Sequence, residues 1–363
     1  MAIAGTGISL MAAMLLTNQA WLDRHFLPSF LIARVWYVRL ETSARLLVGA
    51  CGVWLIVAAR PVAARLTART LRSALQVTAA IVLALAASEL ALRRARDRPT
   101  EWRATDEEPR RRPDARMGWT FVPARTGYSM SGGRTIEYAF DAAGYRVRHG
   151  GQSIDPEPPS ILFAGESIMF GDGLTYDESV PAQVESMLGV QSVNMSVYGY
   201  STDQMYLRLA TELPRFRRPA AVVTLFMTAL FGRNLDDDRP HLRPGLEWRP
   251  AQTHARLVSL AGMLVAFRKT STVEDGIVVT RETLGAEVQL ARARHATPLI
   301  VVPQIGRETE PERRLRTRIL DEGALPYVLV EIDPAWHVPW DRHPDARAAH
   351  LIAGAIASRL RGR

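Results

Sequence analysis

What this chain lacks narrows it first. Among 363 residues there is one cysteine, Cys51, so no disulfide can close within the chain and no Cys-x-x-Cys pair exists for metal or redox chemistry. There is also one lysine, Lys269, so nearly all the positive charge behind a net charge of +8 is arginine. With abundant alanine, that bias points to a GC-rich coding sequence rather than to a nucleic-acid partner. Aromatic residues do not interleave with the basic ones, and no known nucleic-acid module is present, which argues against that class of partner. Neither a Gly-x-Gly-x-x-Gly run, a P-loop nor a His-Glu-x-x-His motif occurs, so no cofactor and no metal is implied. The acidic run Asp236-Asp237-Asp238 lacks the spaced carboxylates and fixed glycine of a cation site and reads as a solvated loop.

Charge is missing from long stretches of the first third. Residues 1–22 carry none, residues 46–59 are uncharged between Arg45 and Arg60, and residues 73–88 are uncharged up to Glu89. A bilayer core takes about 20 apolar residues, and the second and third runs reach that length if their flanking arginines snorkel. The leucine, valine and alanine are spread over all faces, which suits lipid better than the one-sided stripe of a soluble helix. Residues 1–96 therefore read as a membrane region with two or three transmembrane helices, three being favoured, and the lipid bilayer as a partner. No positive n-region precedes the first run, against a cleaved signal peptide. Arginine counts leave orientation open, since Arg24, Arg34, Arg39 and Arg45 in one loop match Arg60, Arg65, Arg69 and Arg72 in the next. Arg93, Arg94, Arg96 and Arg98, then Arg110, Arg111 and Arg112, form a juxtamembrane cluster suited to anionic head groups. Residues 97–116 read as a charged linker.

The most informative stretch follows. Ser160-Ile161-Leu162-Phe163-Ala164 is a short apolar run with prolines upstream, and it leads directly into Gly165-Glu166-Ser167-Ile168-Met169-Phe170-Gly171. That is a buried strand stopping at a tight turn, which holds a serine at the carboxyl edge of a sheet, where open α/β proteins bind their ligands. A serine hydroxyl needs a base and waiting dipoles to become a nucleophile. Candidate strands at 160–164, 191–195, 220–228, 298–303 and 327–332 alternate with helical patterns, which argues for a parallel sheet covered by helices on both faces. A glycine turn, Tyr198-Gly199-Tyr200, ends the second strand, and Gly232-Arg233-Asn234-Leu235 follows the third. Asp341-Arg342-His343-Pro344 precedes an apolar-periodic helix over 346–360, so the aspartate could also be only a helix cap. Residues 257–267 read as a helix lining the substrate side.

These four blocks resemble the SGNH, or GDSL, hydrolase family, over about residue 159 to the end of the chain. Residues 117–155, with Met117-Gly118-Trp119 and Phe140-Asp141-Ala142-Ala143-Gly144-Tyr145, resemble the β-rich lead-in of one membrane-anchored bacterial branch. The resemblance implies a flavodoxin-like three-layer α/β/α fold with a parallel five-stranded sheet over residues 156–363. It implies that Ser167 attacks an acyl carbonyl, that His343 serves as its base and that Asp341 orients His343. It also implies that the N–H groups of Ser167 and Gly199, with the Asn234 amide, hold the oxyanion. Three departures stand out: Glu166 where the family has aspartate, Leu235 after the asparagine, and one residue rather than two between Asp341 and His343. At the altered block either Asn234 or Arg233 takes the donor slot, with Asn234 favoured, while His337 and His350 read as packing or surface residues. The expected activity is that of a membrane-anchored serine esterase or carbohydrate deacylase with an ester or acylated carbohydrate as substrate and its catalytic domain outside the cytoplasm. The alternatives are an O-acyltransferase of an envelope polysaccharide, supplied by a separate acyl-donor membrane protein, and a catalytically weak binding or scaffolding domain.

Overall fold

The computed structural model describes residues 2–25, 34–65, 68–95, 107–259 and 270–362. The chain divides into two compact units, Met1–Arg98 with His254–Thr270, and Pro99–Thr253 with Ser271–Arg363.

The first unit is helical. Its long helices are α1 (Ala2–Leu16), α2 (Arg34–Val57) and α3 (Ala68–Ala95). Within them Val38–Val57 and Arg72–Arg94 are long and apolar enough to cross a membrane. The 15 residues of α1 fall short of the roughly 20 a bilayer core needs, so two spans meet the length requirement rather than the favoured three. The expected substrate-side helix over 257–267 is described only to residue 259, and it belongs to this unit. There the Glu89 carboxylate accepts hydrogen bonds from the N–H groups of Arg256 and Leu257, each at 2.9 Å, and residues 260–267 of the expected helix lie outside the described residues.

The second unit is built on one eight-stranded sheet. Its strands are β1 (Thr126–Ser131), β2 (Arg134–Phe140), β3 (Arg146–Val147), β4 (Pro159–Ala164), β5 (Gln191–Asn194), β6 (Arg218–Leu225), β7 (Thr297–Ile305) and β8 (Tyr327–Ile332). They lie in the order β8-β7-β6-β4-β5-β3-β2-β1. The first five pair in parallel, and β3, β2 and β1 continue the sheet antiparallel. Taken alone, the parallel strands follow the flavodoxin-like order 2-1-3-4-5. The sheet is thus mixed and larger than the expected five strands, because the lead-in pairs onto its edge: Arg146 of β3 lies opposite Asn194 of β5.

The same register builds the core. Leu162 of β4 lies beside Val193 of β5 and Val222 of β6. That row packs under Leu209 of helix α6 (Thr202–Glu212) and Ala291 of helix α7 (Thr270–Ala293). Two shorter helices, α4 (Ser167–Phe170) and α5 (Val180–Leu188), precede them, and α8 (Ala346–Arg361) closes the chain. Ala349, Ile352, Ala353 and Ile356 of α8 are buried, and the helix packs on α5, β7 and β8. Part of the expected linker is also ordered: Arg111–Asp114 pairs with Gly118–Phe121 as a hairpin. Arg111 is buried with its guanidinium over the Tyr198 ring at 5.2 Å.

Helix α7 buries one carboxyl group, that of Glu287, and burial pushes it up to about 8. An unfolded chain releases that proton near the ordinary glutamate pKa of 4.5. Stability therefore falls as pH rises from 4.5 to 8, where the folded state keeps a proton the unfolded state has lost. Glu287→Gln should flatten this slope and gain on the order of a few kcal/mol over the native chain at pH 8 but little at pH 5. Thermal unfolding at the two pH values checks it.

Candidate active site

The carboxyl end of β4 delivers Ser167 to the point where the strand order reverses, between β4 and β6. Gly165 permits the turn because a Cβ there would lie 2.3 Å from that of Met169. Gly171 ends α4 in the left-handed region, at φ 82°, and its N–H donates to the carbonyls of Ser167 and Ile168. Glu166 caps the same turn, accepting from the Ile168 N–H at 3.0 Å. The turn is also gripped from outside. Arg146, 1 % exposed, donates to the carbonyls of Phe170, Gly171 and Leu174 at 2.7, 2.8 and 2.6 Å. Its guanidinium lies over the rings of Tyr138 and Phe170, 4.9 and 4.8 Å from their centroids.

Ser167 is 4 % exposed, and its Oγ lies 2.8 Å from His343 Nε2. On the other side of the ring His343 Nδ1 is 2.7 Å from Asp341 Oδ1. The short Asp-x-His spacing works because the same carboxylate oxygen accepts from the backbone N–H groups of Arg342 (2.5 Å) and His343 (3.1 Å), which folds it back toward the ring. The helix cap is a different residue: Asp345 accepts from the N–H groups of Arg347 and Ala348. Asp341 is thereby left to the histidine. Burial works against its charge, yet the side-chain and backbone hydrogen bonds of His343 hold the Asp341 carboxyl far below the usual range. Burial likewise opposes charge on His343. The Asp341 hydrogen bond and the charges of Asp172, Asp341 and Glu166 nevertheless raise its pKa above the ordinary 6.5.

Gly199 is held on its outer side. The Tyr198 carbonyl accepts from Trp119 Nε1 at 3.2 Å, and the Gly199 carbonyl accepts from Arg239 at 2.7 Å. In a trans peptide the N–H opposes the C=O, so the Gly199 N–H points away from the indole. Among the described residues neither that N–H nor that of Ser167 donates to a backbone acceptor outside helices and strands.

Asn234 has other partners in the structure. Its amide donates to the Thr202 hydroxyl at 3.0 Å and the Thr280 hydroxyl at 2.9 Å, while its carbonyl accepts from the Thr202 N–H at 2.9 Å. Both amide hydrogens are used in tying α6 to α7, so in this arrangement neither is directed at an oxyanion. Its neighbour Arg233 is the residue that reaches the nucleophile turn, 3.5 Å from Glu166 Oε2. His337 Nδ1 faces the Val338 carbonyl and His350 Nδ1 faces Gln183, away from the triad contacts. Asp236 reaches Arg239 at 3.5 Å.

Three residues escaped sequence reasoning. Asp172 is buried with its Oδ2 4.0 Å from His343 Nε2, and its Oδ1 accepts from the Tyr138 hydroxyl at 3.2 Å. Tyr138 and Arg146 both come from the lead-in, and only the position of Asp172, five residues after the serine, offered a signal.

No family model matches the chain, and no curated protein matches it. Solved structures do align. A putative lipolytic protein of the G-D-S-L family from Desulfitobacterium hafniense aligns at 11 % identity and TM-score 0.36, over 55 % of this chain and 98 % of its own. An acetyl xylan esterase from Butyrivibrio proteoclasticus aligns at 10 % and 0.38, over 58 % and 66 %. A putative arylesterase from Agrobacterium tumefaciens aligns at 14 % and 0.35, over 56 % and 99 %. Likeness of this order says nothing of activity or substrate.

If Asn234 is a tie between helices, Asn234→Ala should cost about 1–3 kcal/mol in denaturant unfolding through the orphaned threonine groups, with ester turnover changed only a few-fold. A drop of about a hundred-fold in kcat at unchanged stability would restore the oxyanion role instead.

Proposed function

We propose that this chain is a membrane-anchored serine hydrolase of the SGNH type, an esterase or carbohydrate deacylase that works through an acyl-enzyme. The observation that carries the reading is the continuous contact from Ser167 Oγ to His343 Nε2 and from His343 Nδ1 to Asp341, standing at the carboxyl edge of a parallel sheet. In this reading Ser167 Oγ attacks the acyl carbonyl while His343 Nε2 takes the hydroxyl proton. Collapse of the tetrahedral intermediate breaks the ester C–O bond, and the imidazolium returns the proton to the departing alkoxide. Water then repeats the sequence to release the acid. Asp341 holds the Nδ1–H tautomer throughout, and the N–H groups of Ser167 and Gly199 receive the oxyanion.

A fluorophosphonate probe should label the protein once, and Ser167→Ala should abolish the label without unfolding the chain. His343→Ala should slow labelling by about a thousand-fold or more, and Asp341→Asn comparably or less, since the three act as a unit. Labelling of Ser167→Ala at the native rate would end the acyl-enzyme reading. Aryl acetate supplied with and without a glycan acceptor separates hydrolysis from acyl transfer: acceptor-dependent transfer would favour the acyltransferase alternative, and silence a binding domain.

The two apolar spans support anchoring, and the catalytic unit is proposed to face away from the cytoplasm. Alkaline phosphatase fused after Arg98 should then be active. An inactive fusion there, with an active one in the loop between the two spans, would reverse the orientation.

A further inference from the structure

Glu166 does more than cap its turn. It is 1 % exposed, and its two oxygens have different partners. Oε1 accepts from the Ile168 N–H. Oε2 accepts from the Ser167 hydroxyl and faces the Arg233 guanidinium at 3.5 Å. Ser167 Oγ thus has two neighbours able to take its single hydrogen, Glu166 Oε2 and His343 Nε2. A hydroxyl donates one hydrogen bond, so the two acceptors compete for it.

We propose that Glu166 is a second acceptor for the nucleophile's hydroxyl, balanced against His343 and moderated by Arg233, so that Ser167 rests in an unreactive state until His343 loses a proton. The proposal rests on the serine-hydrolase reading above. It describes two states that differ by one proton. In the acidic state the hydroxyl donates to Glu166, and the imidazolium donates Nδ1–H to Asp341 and Nε2–H to Ser167 Oγ. One of the oxygen's two lone pairs then accepts from the imidazolium, and Nε2 is not free to act as a base. Loss of the Nε2 proton to solvent leaves that nitrogen an acceptor. The hydroxyl swings from Glu166 to His343, and attack on the acyl carbonyl can transfer its proton to Nε2 as the Oγ–C bond forms.

The groups facing the ring fix the sign. Asp341 stands at Nδ1, Asp172 is 4.0 Å from Nε2, and Glu166 lies across the serine oxygen. These three anions favour the imidazolium, and Arg233 opposes them through its contact with Glu166. Burial opposes charge on the ring, but the raised His343 pKa shows that the anions prevail. An N–H, a hydroxyl and a guanidinium all meet the buried Glu166 side chain. Aspartate is a methylene shorter and could not as easily reach both the Ile168 N–H and the serine oxygen.

The test is the pH dependence of fluorophosphonate labelling on the full chain in detergent. Native labelling should rise with pH through a midpoint above 6.5, the ordinary histidine value. Glu166→Gln keeps an oxygen for the Ile168 N–H but loses the charge, and should lower the midpoint by roughly half to one unit, speeding labelling below it about three- to ten-fold. Arg233→Met should move the midpoint the other way by a similar amount. An unchanged midpoint in both variants overturns the proposal. So does loss of labelling at every pH in a Glu166→Gln protein that still unfolds cooperatively, because Glu166 would then be an obligatory base. Should Glu166→Gln fail to fold, the upward shift in Arg233→Met carries the proposal and its absence sinks it. No labelling of the native chain at any pH would overturn the serine-hydrolase reading as well, a result distinct from labelling whose midpoint ignores both substitutions.

Discussion

The nucleophile turn depends on a buried arginine. Arg146 sits at the junction of lead-in and parallel sheet, and its guanidinium holds three carbonyls of the turn that carries Ser167. A buried cation without water is costly, several kcal/mol after relaxation. Here the cost is offset by charge-assisted bonds to backbone carbonyls and by the faces of Tyr138 and Phe170. Burial still pulls the arginine's pKa below its usual value, with Tyr138 and Asp172 the first groups opposing that. Because α4 is one turn long, it cannot hold its own shape through helical hydrogen bonds alone. The guanidinium braces the end of the short helix, together with the Glu166 cap and the Asn194 amide on the Phe170 carbonyl.

The lead-in is consequently part of the site. Its strands β1, β2 and β3 extend the sheet, Tyr138 of β2 holds Asp172, and Trp119 of the preceding hairpin orients the Gly199 peptide. Phe121, Phe140, Phe170 and Tyr198 form one cluster across the lead-in, the Ser167 turn and the Gly199 turn. Ring pairs such as Phe121 with Phe140, 4.5 Å between centroids, make that cluster a shared core. Removing the lead-in would expose this apolar surface and release the nucleophile turn together.

How much of this the amino-acid order reveals depends on the range of each interaction. The Ser167 turn is legible because strand, glycine and serine lie within a dozen residues. Asp341 and His343 are legible as a pair for the same reason, and the serine contact 176 residues away follows from both standing at one end of a parallel sheet. Asn234 is less legible: its glycine spacing resembles a functional block, while the partners its amide meets, Thr202 and Thr280, lie 32 and 46 residues away on separate helices. Arg146 carries no local signal either, since an arginine in a two-residue strand looks like a surface residue until the partner elements enclose it. The first run reads longer than its helix: residues 1–22 are uncharged, but the helix ends at Leu16, before Asn18 accepts from the Trp21 N–H and starts another turn.

Charge around the serine follows from the same packing. Glu166, Asp172 and Asp341 converge on one imidazole, and carboxylates this close would repel one another strongly in a low-dielectric site. Each is separately met: Glu166 by Arg233 and an N–H, Asp172 by the Tyr138 hydroxyl, and Asp341 by two backbone N–H groups and the ring itself. The partners come from the turn after β6, the lead-in and the loop before α8, so the anionic cluster can exist only when all three segments are docked. An environment of this kind favours positive charge on His343 whether or not a substrate is bound. In acyl transfer the imidazolium forms as the oxyanion does, so the same carboxylates that hold the resting proton also stabilise the charge that develops on the ring. What they stabilise in the ground state is lost to catalysis, and only the part of their field that strengthens as the serine proton moves lowers the barrier. Asp341 contributes in both states, because its contact is with Nδ1 and does not change. Under the proposed reaction Glu166 differs: its contact is with the hydroxyl hydrogen that attack would have to remove, so that hydrogen bond would stabilise the resting state at the expense of the reaction.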